Sequence, residues 1–140
     1  MKRNQRIKLA ATMIVVIVLL FGVVSAASAG TRNPFIGPWE AVDIDNSNLR
    51  LTFAGGGQGI FRLIWLDDYW SVCDGDPGLG RGTGTIDDTN PNLMHTSIDF
   101  FCGNAFWGTL AMDFEYDPGT DTIMNTPTAS VIWNRVSGGP

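Results

Sequence analysis

Few residues of this 140-residue chain have chemistry to offer: one histidine, two cysteines and fourteen acids. His95 and Asp99 stand four positions apart. On an extended strand that spacing spans roughly 13 Å at about 3.3 Å per residue, too far for a hydrogen bond between them. No G-x-S-x-G elbow is present, and no lysine follows Lys8 to act as a base. His95 therefore reads as a solvated strand residue, and no catalytic residue is assigned. An acid buried by the fold would be the remaining route to catalysis. Asp43-x-Asp45-x-Ser47 and Asp74-x-Asp76 set oxygens at alternating spacing, as hard cations favour. The glycine and bidentate acid that complete an EF-hand loop are missing, so these clusters read as turns and no metal or cofactor is expected.

Cys73 and Cys102 are the only cysteines, and a C-x-x-C motif is absent. With a single histidine there are too few ligands for a zinc site. In an oxidising compartment two cysteines most simply pair, and the loop closed here would contribute roughly 3–4 kcal/mol in the chain-entropy model. Five aromatic residues flank them: Trp65, Tyr69, Trp70, Phe106 and Trp107. A bond between the cysteines would gather these rings near one rim, where they could line a pocket for an apolar or sugar-like ligand. The competing reading makes Trp65 and Phe106 plain core.

The compartment is legible at the N-terminus. Lys2, Arg3, Arg6 and Lys8 precede the apolar stretch 9–24, and Ala27-x-Ala29 offers the small residues a signal peptidase reads. Sixteen apolar-stretch residues fall short of the roughly 20 that span a bilayer. The expectation is cleavage before Gly30, secretion, and no stable membrane anchor. Residues 30–140 then form a single domain. That segment keeps five arginines, no lysine and all fourteen acids, a formal charge of −9. Such a surface argues against nucleic acid and anionic membranes as partners.

These residues must be positioned by strands. Sixteen of the seventeen glycines and all seven prolines lie beyond residue 29, and no apolar stripe of helical period escapes interruption by them. Short β-rich runs occur at 39–44, 49–53, 60–66, 81–86, 93–102, 106–116, 121–125 and 130–136, with 69–73 as a further short strand. Turn chemistry separates them: Asp45-Asn46-Ser47-Asn48, Gly55-Gly56-Gly57, a glycine-rich loop over 74–80, Asp87–Asn92 and Asp117-Pro118-Gly119. Hairpin-length connections make an antiparallel meander of eight or nine strands. The fold class is all-β: an up-and-down barrel of about eight strands, with a β-sandwich as the alternative. Parity buries Met94, Thr96, Ile98, Phe100 and Cys102 on one strand, and Phe106, Gly108, Leu110, Met112, Phe114 and Tyr116 on the next. It leaves His95 and Asp99 outside.

Gly37-Pro38-Trp39 opens the first strand and Trp133-Asn134-Arg135 closes the last. This pair resembles the calycin pattern of lipocalins and avidins. The resemblance implies that Gly37 and Trp39 begin strand one, that Trp39 plugs one end of the barrel, and that Arg135 stacks on it. Trp39-Glu40 through Ser47, the Cys73 loop, the stretch from Tyr116 to Thr122 and the terminal Trp-x-Arg also resemble a group of small exported bacterial proteins of unknown function. The polar set that holds biotin in avidins is missing, so no biotin site is carried over.

Three functions fit this reading. The leading one is a secreted calycin-like binding module, its ligand a small hydrophobic molecule at the mouth or inside. The second is an extracellular interaction protein, such as a protease-inhibitor-like barrel. The third is a barrel enzyme built on a buried acid. Mass spectrometry of protein recovered from the culture medium is expected to show a chain beginning at Gly30. A full-length, membrane-retained product would refute the export reading.

Overall fold

A computed structural model describes residues 33–126 and 131–137. The expected signal sequence 1–29 and its expected cleavage site lie outside the described residues, as does position 130 of the expected last strand. Eight strands follow one another: β1 (Gly37–Val42), β2 (Asn48–Gly55), β3 (Ile60–Asp67), β4 (Gly78–Ile86), β5 (Leu93–Cys102), β6 (Ala105–Asp117), β7 (Thr122–Thr126) and β8 (Ile132–Arg135). Each pairs antiparallel with the next, and β8 returns to β1 through Trp39↔Arg135 and Glu40↔Asn134. The result is a closed up-and-down barrel, which excludes the sandwich.

The alternation that marks these strands in sequence also fills the lumen. Leu49, Leu51 and Phe53 of β2 face Phe61, Leu63 and Trp65 of β3, all buried. Rings interlock across the interior: Trp65 lies 4.7 Å from Trp133, 5.8 Å from Phe100 and 6.5 Å from Phe114, and Phe53 lies 5.3 Å from Phe114. An eight-stranded barrel is wide enough for its own side chains or for one small ligand, and here large rings occupy the interior. The glycines of β4 make room for them. A Cβ on Gly80 would lie 2.9 Å from both Phe100 and Trp65, and one on Gly78 would lie 2.6 Å from the Trp70 ring.

Three local expectations change. Residues 69–73 form no strand: Ser71–Cys73 is a turn of 3-10 helix, because the Trp70 carbonyl accepts the N–H groups of Cys73 and Gly75. Residues 78–80 belong to β4 and not to the loop, since the missing side chains are where Trp70, Trp65 and Phe100 pack. Phe106 points outward. The register slips so that Phe100 opposes Gly108 while Phe101 opposes Phe106, leaving Trp107 as a bulge that inverts the parity beyond it.

The end opposite the disulfide is shut. Trp39 is fully buried and its indole N–H donates to the Phe35 carbonyl at 2.8 Å. The Arg135 guanidinium sits 4.1 Å above the Trp39 ring. Its Nη2 and Nη1 donate to the carbonyls of Pro34 (2.6 Å) and Ile36 (3.1 Å), and its Nε donates to both Asp121 oxygens at 2.9 Å. Gly37, at φ 126°, takes a backbone conformation that a side chain would strain, and a Cβ there would meet Arg135 Nη1 at 3.6 Å. Trp39→Ala is expected to cost about 3–5 kcal/mol and Arg135→Ala about 1–2 kcal/mol. The double variant should lose less than the sum, because each single change already parts the pair. Additive losses in urea melts would show the two side chains to be energetically independent.

Candidate functional site

The disulfide end is built differently. Among the described residues its loops include 43–47, 68–77 and 103–104, and the middle one carries most of the rings. That loop is tethered at three points. Asp68 accepts the backbone N–H of Asn48 at 2.7 Å and its side-chain amide at 2.6 Å. Trp70 uses both backbone groups inside the loop, donating to the Asp76 carbonyl at 3.1 Å and accepting from Cys73 at 2.9 Å. The disulfide Cys73–Cys102 then fixes the loop to the end of β5, with Cα atoms 5.3 Å apart. Asp74 and Gly75 both take positive φ, which makes the reversal.

Rings are seated on this frame. Tyr69 lies over Gly75, where a Cβ would come within 2.7 Å of it, and Trp70 lies over Gly78. Trp70 is 5.1 Å from Phe100 on one side and 5.1 Å from Trp107 on the other, so a stack of aromatic rings runs from the buried interior to the rim. Of the five aromatic residues flanking the cysteines, Trp65 is core, Trp70 is half-buried, and Tyr69, Phe106 and Trp107 are exposed. They gather at one end of the barrel. Outside the wall, register sets Leu66, Leu79, Phe101 and Phe106 side by side across four strands, with Phe101 and Phe106 rings 5.7 Å apart. Val42, Ile44 and Val72 stand exposed at the same end, Ile44 almost wholly so at 97%. This outer row escaped the sequence reading, although Leu66, Leu79 and Phe101 each sit on the polar parity of their strands.

Two clefts open here. One, of about 650 Å³, is lined by the outward-facing Glu40, Val42, Arg50 and Leu66 and by the inward-facing Ala41, Leu49, Asp67 and Gly78. The other, of about 590 Å³, lies over Asp45, Ser47 and Tyr69. They meet at Asn48 and Asp68. The acids Asp43, Asp45, Asp67, Asp68, Asp74 and Asp76 surround them. The backbone N–H of Ser47 and the side-chain amide of Asn48 hold Asp45 and Asp68, respectively, below the usual carboxylate range. Asp43, Asp45 and Asp68 spend oxygens on backbone N–H groups, as turn residues do. Among the described residues no group of three or more His, Cys, Asp or Glu side chains could hold a metal ion.

Asp67 differs from its neighbours. It is 5% exposed, faces inward beside Leu49, accepts the Tyr69 N–H at 3.1 Å, and is pushed up from its ordinary value by burial. The Ser47 hydroxyl, also at this end, is buried without a hydrogen-bond partner among the described residues.

His95 lies outside, on β5 near the other end, and is not merely solvated. Its Nδ1 is 2.8 Å from Asp113 on β6 and its Nε2 is 3.0 Å from Asp87 in the β4–β5 loop. Asp99 instead accepts the Thr109 hydroxyl at 2.6 Å. His95 is raised by the hydrogen bond to Asp87 and then by Asp113, and Asp87 is lowered by the Thr89 hydroxyl and by His95. Both ring nitrogens are engaged by carboxylates, so the arrangement clamps a loop and leaves no nitrogen to activate a nucleophile. Asp113 stands directly opposite His95 in the ladder, a partner that pairing register would have revealed.

Comparison of the chain with protein-family models, with curated proteins and with solved structures returns no match.

Both raised groups bind protons more readily when folded. Stability that His95 adds below its ordinary 6.5 is lost as pH rises through its higher folded value. Asp67 begins to oppose folding as pH rises above 3.8, and fully does so beyond its raised value. The melting temperature is therefore expected to fall between about pH 5 and pH 8, with Asp67→Asn more stable than wild type at neutral pH. A wild-type melting temperature that climbs across this range, or an Asn variant that melts lower at neutral pH, would contradict the assignment.

Proposed function

We propose that this chain is an exported, calycin-like binding module that engages its partner on the outer rim of the disulfide end, not inside the barrel. The observation that carries this reading is the division of its aromatic residues. Trp39, Trp65, Trp133, Phe53 and Phe114 fill the lumen, while Tyr69, Phe106 and Trp107 are held exposed outside it. Among the described residues, seven of the ten exposed large apolar side chains, from Val42 and Ile44 to Phe106 and Trp107, stand at this one end. A surface apolar grouping on a small monomeric fold marks an interaction site. Rigidly held rings make good anchors, since little side-chain entropy remains to be lost on binding.

Export is supported by the N-terminal sequence and by the Cys73–Cys102 bond, which suits a compartment outside the reducing cytoplasm. No helix among the described residues is long and apolar enough to cross a membrane. The calycin affinity is supported by the closed eight-stranded meander and by Arg135 stacked on Trp39.

The test is a selection of random displayed peptides against the mature, oxidised protein. Selected binders are expected to lose affinity for the Phe106→Ser and Trp107→Ser variants and to keep it for Ile60→Ser at the far end of the wall. Stoichiometric uptake of a retinoid or fatty acid that quenches tryptophan emission equally in wild type and rim variants would place the ligand in the lumen and defeat the proposal.

A further inference from the structure

The geometry points to a basic polypeptide segment as the partner of the disulfide-end rim, its apolar side chains seated on Phe106, Trp107 and Leu66 and its lysines or arginines meeting Asp68, Asp74 and Asp76. This inference rests on the rim being the binding surface. What it adds is the sign of the partner's charge.

The apolar rim stands among acids. Asp43, Asp45, Asp67, Asp68, Asp74 and Asp76 belong to this end; of the nearby cations, Arg50 is 3.8 Å from Glu40 with both side chains exposed, and Arg81 stands two positions from Leu79 on the outer face of β4. Asp74 and Asp76 make no side-chain hydrogen bond among the described residues, so their carboxylates are free to meet a ligand. Asp45 and Asp68 are held in the ionised form by the N–H groups around them. Residues 30–140 carry −9 overall, so a cation is steered toward the molecule and an anion is turned away. Exposed tryptophan and tyrosine faces attract ammonium and guanidinium groups in addition. An acidic rim with aromatic anchors thus favours a segment that is both basic and apolar. A neutral partner would use the rings alone, and an acidic one would be repelled.

The chain holds its own competing cations. Arg62 and Arg81 point outward on β3 and β4 beside Ile60 and Ile64, and neither has an acidic partner within 4 Å among the described residues. A second copy could bring this wall against the rim. Self-association of that kind is heterologous and would not close on itself.

The experiment titrates the mature, oxidised protein with a short synthetic peptide alternating lysine and leucine. Two counterparts replace lysine with glutamate, or leucine with serine. Tryptophan emission and calorimetry report binding, and sedimentation reports mass. The lysine–leucine peptide is expected to bind one-to-one, with affinity that weakens on adding salt. Both counterparts should bind at least ~10-fold more weakly. Trp107→Ser should weaken binding about tenfold. Asp74→Asn with Asp76→Asn should weaken it several-fold and lower its salt dependence without changing the melting temperature. If the glutamate–leucine peptide binds as tightly, and through Trp107, the rim reading stands and the basic partner is wrong. Equal binding of the lysine–serine peptide would show that the rings take no part, which also refutes the inference. Binding indifferent to both Phe106→Ser and Trp107→Ser removes the rim reading itself. A mass that grows with concentration and reverts in Arg62→Gln/Arg81→Gln would assign the surface to a second copy, overturning the basic segment.

Discussion

The barrel closes through a short seam. β8 meets β1 over two residue pairs, Trp39↔Arg135 and Glu40↔Asn134, whereas β5 and β6 pair along ten. So few ladder bonds make the weakest link in the cylinder. Arg135 compensates by spanning what the ladder cannot: two carbonyls of the segment leading into β1, the Asp121 carboxylate in the β6–β7 turn, and the Trp39 ring. One side chain therefore ties three separate parts of the chain at one end. Without closure β1 and β8 would be open edges, and a flat exposed edge invites pairing with another chain.

Closure has a consequence for where function can sit. A ring of eight strands leaves an interior that side chains can fill or that one small ligand can share with them. Here three tryptophans and several phenylalanines occupy it. β4 presents glycine along its inner face, and rings of the interior pack directly against it at Gly78 and Gly80. Apolar surface beyond that capacity has to lie outside. Leu66, Leu79, Phe101 and Phe106 form such a row, and the loop holding Tyr69 and Trp70 continues it over the end. The loop is short of regular structure, which is where a covalent tether and the Asp68–Asn48 bonds matter most.

Much of this was legible in the sequence. Period-two runs bounded by Asx and glycine turns located the strands, because burial of one face imposes that period. The cysteine pairing followed from there being only two cysteines and no metal set. What the sequence leaves hidden are contacts that neither composition nor parity along a single strand records. Tyr69-Trp70-Ser71-Val72-Cys73 has strand composition, yet the Trp70 backbone finds its partners within the loop. Phe106 was counted inward because a bulge at Trp107 adds a residue to one strand only, which parity along that strand cannot register. His95 looked solvated because Asp113 lies across a ladder and Asp87 across a loop.

The charges complete the argument for the disulfide end. Acids congregate at the two ends of the barrel, while Arg50, Arg62 and Arg81 stand on the outer wall of β2 to β4. At the far end most acids have partners within the protein: Asp87 and Asp113 meet His95, Asp121 meets Arg135 and the Tyr116 hydroxyl, and Asp117 accepts the N–H of Gly119, while Asp88 and Glu115 have none among the described residues. At the disulfide end no basic side chain among the described residues faces Asp67, Asp74 or Asp76 within ion-pair distance. Carboxylates in such numbers repel one another unless something else is stabilised by them. The exposed rings beside them are likewise unexplained by packing, since other rings occupy the lumen. Two features that each weaken the isolated fold, uncompensated acids and uncovered aromatic residues, coincide on the one loop that a disulfide holds in place, and a bound basic segment would relieve both at once.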